Sequence, residues 1–194
     1  MRRLCVFCGS SAGNREAYRD SARRLGELLA ARGIGVVTGG GHIGLMGVLA
    51  DAVLAGGGEV IGVIPQALVE RELAHRGLTR LEVVSSMHER KAAMADRADG
   101  FAALPGGYGT CDELFEILTW AQLGLHARPV GLLNVAGYFT PALAWLDHMV
   151  AEGFLKGKHR GLLIEAAAPE ELLERLLHYR PGEATPKWIA PGDR

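Results

Sequence analysis

Phe101-Ala102-Ala103-Leu104-Pro105-Gly106-Gly107-Tyr108-Gly109-Thr110-Cys111-Asp112-Glu113 is the stretch that decides the architecture. A short run, apolar on consecutive positions, leads into a glycine-rich turn, and the turn leads into a helical pattern at 110–124. Consecutive apolar positions mark a strand covered on both faces, as in parallel sheets flanked by helices. The same alternation extends in both directions. Further strands are expected at 4–8, 34–38, 59–64, 81–84, 100–104, 129–134 and, weakly, 162–165. Helices are expected at 14–32, 44–56, 65–73, 86–98, 110–124, 140–153 and 169–178. Strand–helix alternation of this kind predicts an α/β fold: Rossmann-like, doubly wound, with a mainly parallel sheet and helices on both faces. Residues 1–180 are expected to form one domain. The span 181–194, with Pro181, Pro186 and Pro191, is expected to be a loose tail.

Composition narrows the function classes. The 194 residues are 48% hydrophobic and 22% charged, which excludes disordered, collagenous and coiled-coil chains. With 21 basic and 22 acidic residues the net charge is -1, so no cationic surplus draws the chain onto nucleic acid or a membrane. No apolar stretch reaches the roughly 20 residues of a membrane span. The apolar run 4–8 is too short for a secretory leader and reads as a strand. Three cysteines, Cys5, Cys8 and Cys111, fit a reduced cytoplasmic protein. Cys5-x-x-Cys8 resembles a redox pair in spacing only. Residues three apart on a strand face opposite sides, so these thiols are expected to pack in the core.

Glycine, at 27 residues, is about twice its usual ~7% share. It gathers in three segments at the expected carboxyl ends of strands: 8–13, 38–44 and 105–110. Ligands of open α/β sheets bind there. Gly39-x-Gly41-x-x-Gly44 spells a dinucleotide fingerprint, but it follows the second strand, and the next strand ends at Ile64-Pro65-Gln66 without a ribose-binding carboxylate. A tight turn explains it as well. In Pro105–Glu113, glycines let backbone N–H groups approach an anion at a helix N-terminus. Thr110-x-x-Glu113 has two readings, a capping box or a hydroxyl and a carboxylate turned to the same site. On the helix 86–98, Met87, Arg90, Lys91 and Met94 share a face by i, i+3, i+4 spacing, giving a cationic wall or a solvated charge face.

Met87-His88-Glu89-Arg90-Lys91, then Pro105-Gly106-Gly107-Tyr108-Gly109-Thr110-x-x-Glu113, then Thr119-Trp120-Ala121-Gln122-Leu123-Gly124 resembles the LOG ("lonely guy") family. Its members are cytokinin riboside 5'-monophosphate phosphoribohydrolases, often labelled lysine decarboxylases. The resemblance spans residues 3 to 155. It implies a Rossmann-like dimer that hydrolyses the N-glycosidic bond of a purine nucleoside 5'-monophosphate to free base and ribose 5-phosphate. It implies Arg90 and Glu113 as the catalytic pair. The substrate-binding set it points to is Ser10, Glu72, Met87, Lys91, Gly106, Gly107, Tyr108, Gly109, Thr110 and Thr119. Cys111-Asp112 depart from the family's usual Leu-Glu, which bears on the rim of the loop. No cofactor or metal is implied, and His42 and His88 are expected to be structural.

Bond chemistry agrees with that assignment. Cleaving a C–N glycosidic bond builds positive charge on the ribose, which a carboxylate stabilises while it activates water. One other reading stays open: a molybdenum-cofactor carrier shares this fold and binds without chemistry. A pyridoxal-phosphate decarboxylase has little support, since Lys91 is the only lysine in a plausible site segment and the chain is small for such a fold. The helix at 110–124, apolar at Leu114, Phe115, Ile117, Leu118, Trp120, Ala121 and Leu123, leaves little polar face and is expected to border a homodimer interface.

Overall fold

A computed structural model describes residues 1–69 and 73–181. Seven strands form one sheet: β1 (Arg3–Phe7), β2 (Gly35–Thr38), β3 (Val60–Pro65), β4 (Arg80–Val84), β5 (Gly100–Ala103), β6 (Val130–Leu133) and β7 (Leu163–Ala166). Their order is β4-β3-β2-β1-β5-β6-β7, and every neighbouring pair is parallel. The chain winds outward from β1 to β4, crosses back, and winds outward again from β5. The order therefore reverses between β1 and β5, which opens a crevice at their carboxyl ends.

Helices cover both faces, because strands apolar on consecutive positions must be shielded twice. On one face lie α1 (Glu16–Ala31), α2 (Gly44–Ala55) and, last in the chain, α8 (Pro169–Leu177). On the other lie α4 (Met87–Asp96), α5 (Tyr108–Leu123) and α6 (Thr140–Ala151). Two one-turn helices, α3 (Gln66–Val69) and α7 (Gly157–Arg160), complete the set of described α-helices, and a 3-10 turn, Val135–Gly137, lies between β6 and α6. Strand alternation divides the core. Leu4, Val6 and Cys8 face the α1 side, while Cys5 and Phe7 face the α5 side. Both thiols are buried on opposite faces and cannot meet.

Three expectations are corrected. The helix expected over 65–73 is the single turn α3 in its described part; Pro65 closes β3, and Leu73 is already non-helical. The turn α7 was not foreseen, since four residues carry no periodicity. Helix α5 begins at Tyr108, not 110. The tail expectation concerns residues of which 182–194 lie outside the described ones. Among the described residues no helix is long and apolar enough to cross a membrane.

Register places the loops. Phe7 pairs with Ala103, so the Cys8–Gly13 and Leu104–Thr110 segments leave the sheet side by side. The Gly9 N–H donates to the Pro105 carbonyl (3.0 Å), and the Leu45 N–H donates to the Gly9 carbonyl (3.0 Å), which ties in the start of α2.

Candidate active site

A cavity of about 370 Å³ lies over the ends of β1, β2 and β3, against α4 and α5. Of the expected site residues, Ser10, Arg90, Gly107, Tyr108, Gly109, Thr110 and Glu113 line it. Arg90 and Glu113 are each only 8% exposed, and Arg90 Nη1 stands 3.2 Å from Glu113 Oε1. Arg90 Nε donates to the Val63 carbonyl at the end of β3 (3.1 Å). The face expected on α4 divides: Arg90 and Met94 point inward, whereas Met87 is about half exposed.

Burial pushes the Glu113 carboxyl up to about 7, against the downward pull of Arg90. A carboxylate titrating near neutrality in a cleft, beside a fixed cation, has the properties of a reacting group. Burial, with Glu113 adding to it, also raises the Cys8 thiol far above its ordinary range. Cys8 lines the cavity as an inert thiol, not a nucleophile.

The early start of α5 removes the capping-box reading of Thr110-x-x-Glu113. The N-cap is Gly107, in extended conformation, and no side chain caps the helix. Thr110 lies inside the first turn, so a box in which it caps and Glu113 reaches back to it does not form. The segment enters the helix at Tyr108 because the glycine turn closes tightly behind it. A Cβ on Gly106 would stand 2.1 Å from Thr110 Oγ1 and 2.8 Å from the Gly9 nitrogen. A side-chain cap closes α4 instead: Ser86 Oγ accepts from the Glu89 N–H (3.1 Å), and the Glu89 carboxylate accepts from the N–H of Ser85, one residue before the N-cap (2.8 Å).

The uncapped first turn of α5 therefore presents backbone N–H groups to the cavity, where the helix dipole favours an anion. Cβ atoms on Gly107 and Gly109 would meet nothing within 4 Å. The protein's own packing does not require glycine there, and the open space admits a ligand directly against the backbone. An adjoining cavity of about 290 Å³ shares Gly9, Ser10 and Gly107 and adds Gly106 and Tyr138. The Tyr138 hydroxyl donates to the Gly106 carbonyl (2.5 Å).

Other expected residues lie elsewhere. Lys91 Nζ is 3.0 Å from Glu116 and 3.2 Å from Asp112, on the flank between α4 and α5. Burial lowers its pKa, but the hydrogen bonds to Glu116 and Asp112 outweigh that and leave it raised. This is the reverse of what a Schiff-base lysine needs. Thr119 donates to the Phe115 carbonyl and lines a separate 200 Å³ pocket with Trp145 and His159. Glu72 lies outside the described residues. His42 is structural: its backbone N–H and its Nδ1 both bond the Leu73 carbonyl (3.1 and 3.0 Å). His88 is exposed.

The sequence reading missed half of the cavity. Ile43, Met46, Ile64, Leu68 and Leu73 form an apolar wall, and Gly39 and Gly41 lie at its edge. The apolar residues carry no signal that separates them from core. The glycines did, in the fingerprint-like motif of the 38–44 loop. Its Gly44, at φ +63, serves close packing: a Cβ there would stand 2.3 Å from the Ser10 carbonyl carbon.

Residues 46–176 match a family model described as "Possible lysine decarboxylase". The chain is 53% identical over 180 residues to the probable cytokinin riboside 5'-monophosphate phosphoribohydrolase LOGL9 of Oryza sativa subsp. japonica, covering 93% of this chain and 79% of that protein. It is 51% identical to the cytokinin riboside 5'-monophosphate phosphoribohydrolase LOG1 of Arabidopsis thaliana, covering 93% and 84%. Among solved structures, the molybdenum cofactor carrier protein of Chlamydomonas reinhardtii superposes with a TM-score of 0.69 at 23% identity, covering 91% of this chain and 98% of that one. Identity that low is a likeness of fold.

Proposed function

The chain belongs to the LOG family of cytokinin riboside 5'-monophosphate phosphoribohydrolases, and we propose from that footing that it hydrolyses the N-glycosidic bond of purine nucleoside 5'-monophosphates, with Arg90 and Glu113 as the reacting pair. The observation that carries this reading is the buried Arg90–Glu113 contact at the floor of a cavity whose rim is the uncapped start of α5. The 5'-phosphate sits on the N–H groups of Gly107–Thr110. The ribose lies over Glu113, whose carboxylate stabilises the cationic sugar as the bond to the base breaks and activates the incoming water. Arg90 holds that carboxylate in place. The water's hydroxyl adds to C1', the proton that Glu113 takes from it is returned to the departing base, and free base and ribose 5-phosphate leave. The direct test is chromatography of free base released from a panel of nucleoside 5'-monophosphates: release from adenosine or N6-substituted adenosine monophosphates supports the reading, and no release from any member refutes it.

The carrier reading is weaker. Its support is likeness at 20–23% identity, against 50–53% for the phosphoribohydrolases. A carrier also has no use for a buried carboxylate that titrates near 7.

Because the carboxylate form does the work, turnover should rise with pH. Below about 7 it should climb close to tenfold per pH unit, and above that it should level. A pH–rate profile of kcat/KM, which reports the groups of the free enzyme, checks this. A limb that falls through the same range would instead make Glu113 the proton donor.

We assign the chain to a two-fold homodimer. Trp145 is 52% exposed and Phe154 89% exposed beside the α5–α6 pocket that holds Thr119, and an apolar edge of this kind is ordinarily covered. Thr119 lies more than two turns beyond Thr110 along α5. It lines a different pocket from Glu113, so its role as a nucleotide contact, implied by the family, fits substrate held by the second copy. Light scattering at micromolar concentration should give twice 20.7 kDa; a clean monomer would refute the assignment. The oppositely facing, buried Cys5 and Cys8 fit a reducing cytoplasm.

A further inference from the structure

We infer that Gly39 is a positioning residue: the bare backbone at this point seats the guanidinium of Arg90 against Glu113. The inference rests on the reading of Arg90 and Glu113 as the reacting pair, and it accounts for a glycine that the dinucleotide-like motif left without a role.

Three contacts surround the guanidinium. Thr38 pairs with Gly62, so Gly39 leaves β2 beside Val63 on β3. The Val63 carbonyl accepts from Nε at 3.1 Å, and the Glu113 carboxylate meets Nη1 at 3.2 Å. On the remaining side Nη2 lies against Gly39. A Cβ at residue 39 would stand 1.8 Å from Nη2, 3.0 Å from Cζ and 3.1 Å from Met46 Cε. No side chain can occupy this point while Arg90 stays where it is.

The backbone itself imposes no such demand. Gly40 has φ +76, in the region that favours glycine, but Gly39 is not among the positive-φ glycines. Alanine can adopt its conformation. The heavy clash is with the far end of a flexible side chain, which can swing into the neighbouring cavity at little cost to the fold. Gly39→Ala therefore separates the cation from the carboxylate while both residues remain, and misplacing a reacting group by about an ångström costs on the order of 100-fold in rate.

The experiment is a double-mutant cycle on the full chain with Gly39→Ala, Arg90→Ala and the double variant. Two quantities are read: turnover, and the titration midpoint of Glu113 by NMR of carboxyl-labelled protein without nucleotide. Gly39→Ala should melt close to the wild type, lose about 100-fold in turnover, and raise the Glu113 midpoint above its value near 7, since Arg90 holds it down. In the Arg90→Ala background it should change neither quantity. Wild-type turnover with an unmoved midpoint would overturn the inference, as would losses that simply add in the double variant. If Gly39→Ala fails to fold, removing the Arg90 side chain should restore the fold; a double variant that also fails overturns the inference. Wild-type turnover by Arg90→Ala would overturn the catalytic reading alone, because the Glu113 midpoint still decides whether Gly39 seats Arg90.

Discussion

Glu113→Gln is expected to yield a folded protein that has lost about 100- to 1000-fold in turnover, the usual cost of removing a preorganised electrostatic partner of a transition state. The amide is isosteric and still accepts a hydrogen bond from Arg90, so the cavity keeps its shape. What goes is the negative charge that faces the ribosyl cation. The two effects separate by pH. Glu113 has a carboxyl raised from 4.5 to about 7 by burial, so the folded state favours its neutral form. The stability this contributes is full below about 4.5 and is lost as pH rises through about 7, on the order of 3 kcal/mol by linkage. The glutamine variant has no group to ionise. Its melting temperature relative to wild type should therefore rise between pH 5 and pH 8, while its activity stays low throughout. Wild-type turnover, or activity lost only in proportion to unfolded protein, would show that the carboxylate is structural. Arg90→Ala should be comparably inactive, because it leaves Glu113 buried without its cation and drives the carboxyl toward the neutral form.

Adenosine is expected to be cleaved at least about 100-fold less efficiently than adenosine 5'-monophosphate, judged by kcat/KM. The uncapped start of α5 and the open faces of Gly107 and Gly109 form an anion seat at one end of the cavity. Glu113, the carboxylate proposed to react, lies further along the same helix. Phosphate bound at the seat fixes where the sugar falls relative to Glu113, so binding energy at a remote group appears as rate at the reacting bond. Adding ribose 5-phosphate should inhibit the nucleotide reaction by occupying the same seat. Equal efficiency for nucleoside and nucleotide would remove the phosphate from the Gly107–Thr110 segment.

Much of this was legible in the sequence. Apolar runs such as Val60–Ile64 and Phe101–Leu104 could only be strands covered twice, and the helical patterns between them required a doubly wound sheet. The Gly106–Glu113 segment pointed to an anion seat through its residue types. Arg90 and Glu113 were legible as a pair through family resemblance, and the fold brings them to 3.2 Å. Lys91 shows the limit of that approach. Its helical spacing put it on the face of Arg90, yet Asp112 and Glu116 hold it on the flank, and those acids belong to another helix.

The sequence by itself determined the class of fold, the ends of the strands where a ligand can bind, and the kinds of groups available there. These follow from periodicity and turn chemistry, which act between neighbours in the chain. Tertiary structure alone decided that Glu113 meets Arg90 instead of capping its own helix, that Gly39 lies under a guanidinium, and that Ile43, Met46 and Leu73 wall the cavity. Those outcomes depend on strand order and register. Arg90 reaches the Val63 carbonyl across 27 residues of chain because α4 packs over β3, and Gly39 lies beside it because β2 and β3 are hydrogen-bonded neighbours. Such contacts are fixed by packing between elements distant in sequence, to which local pattern is blind.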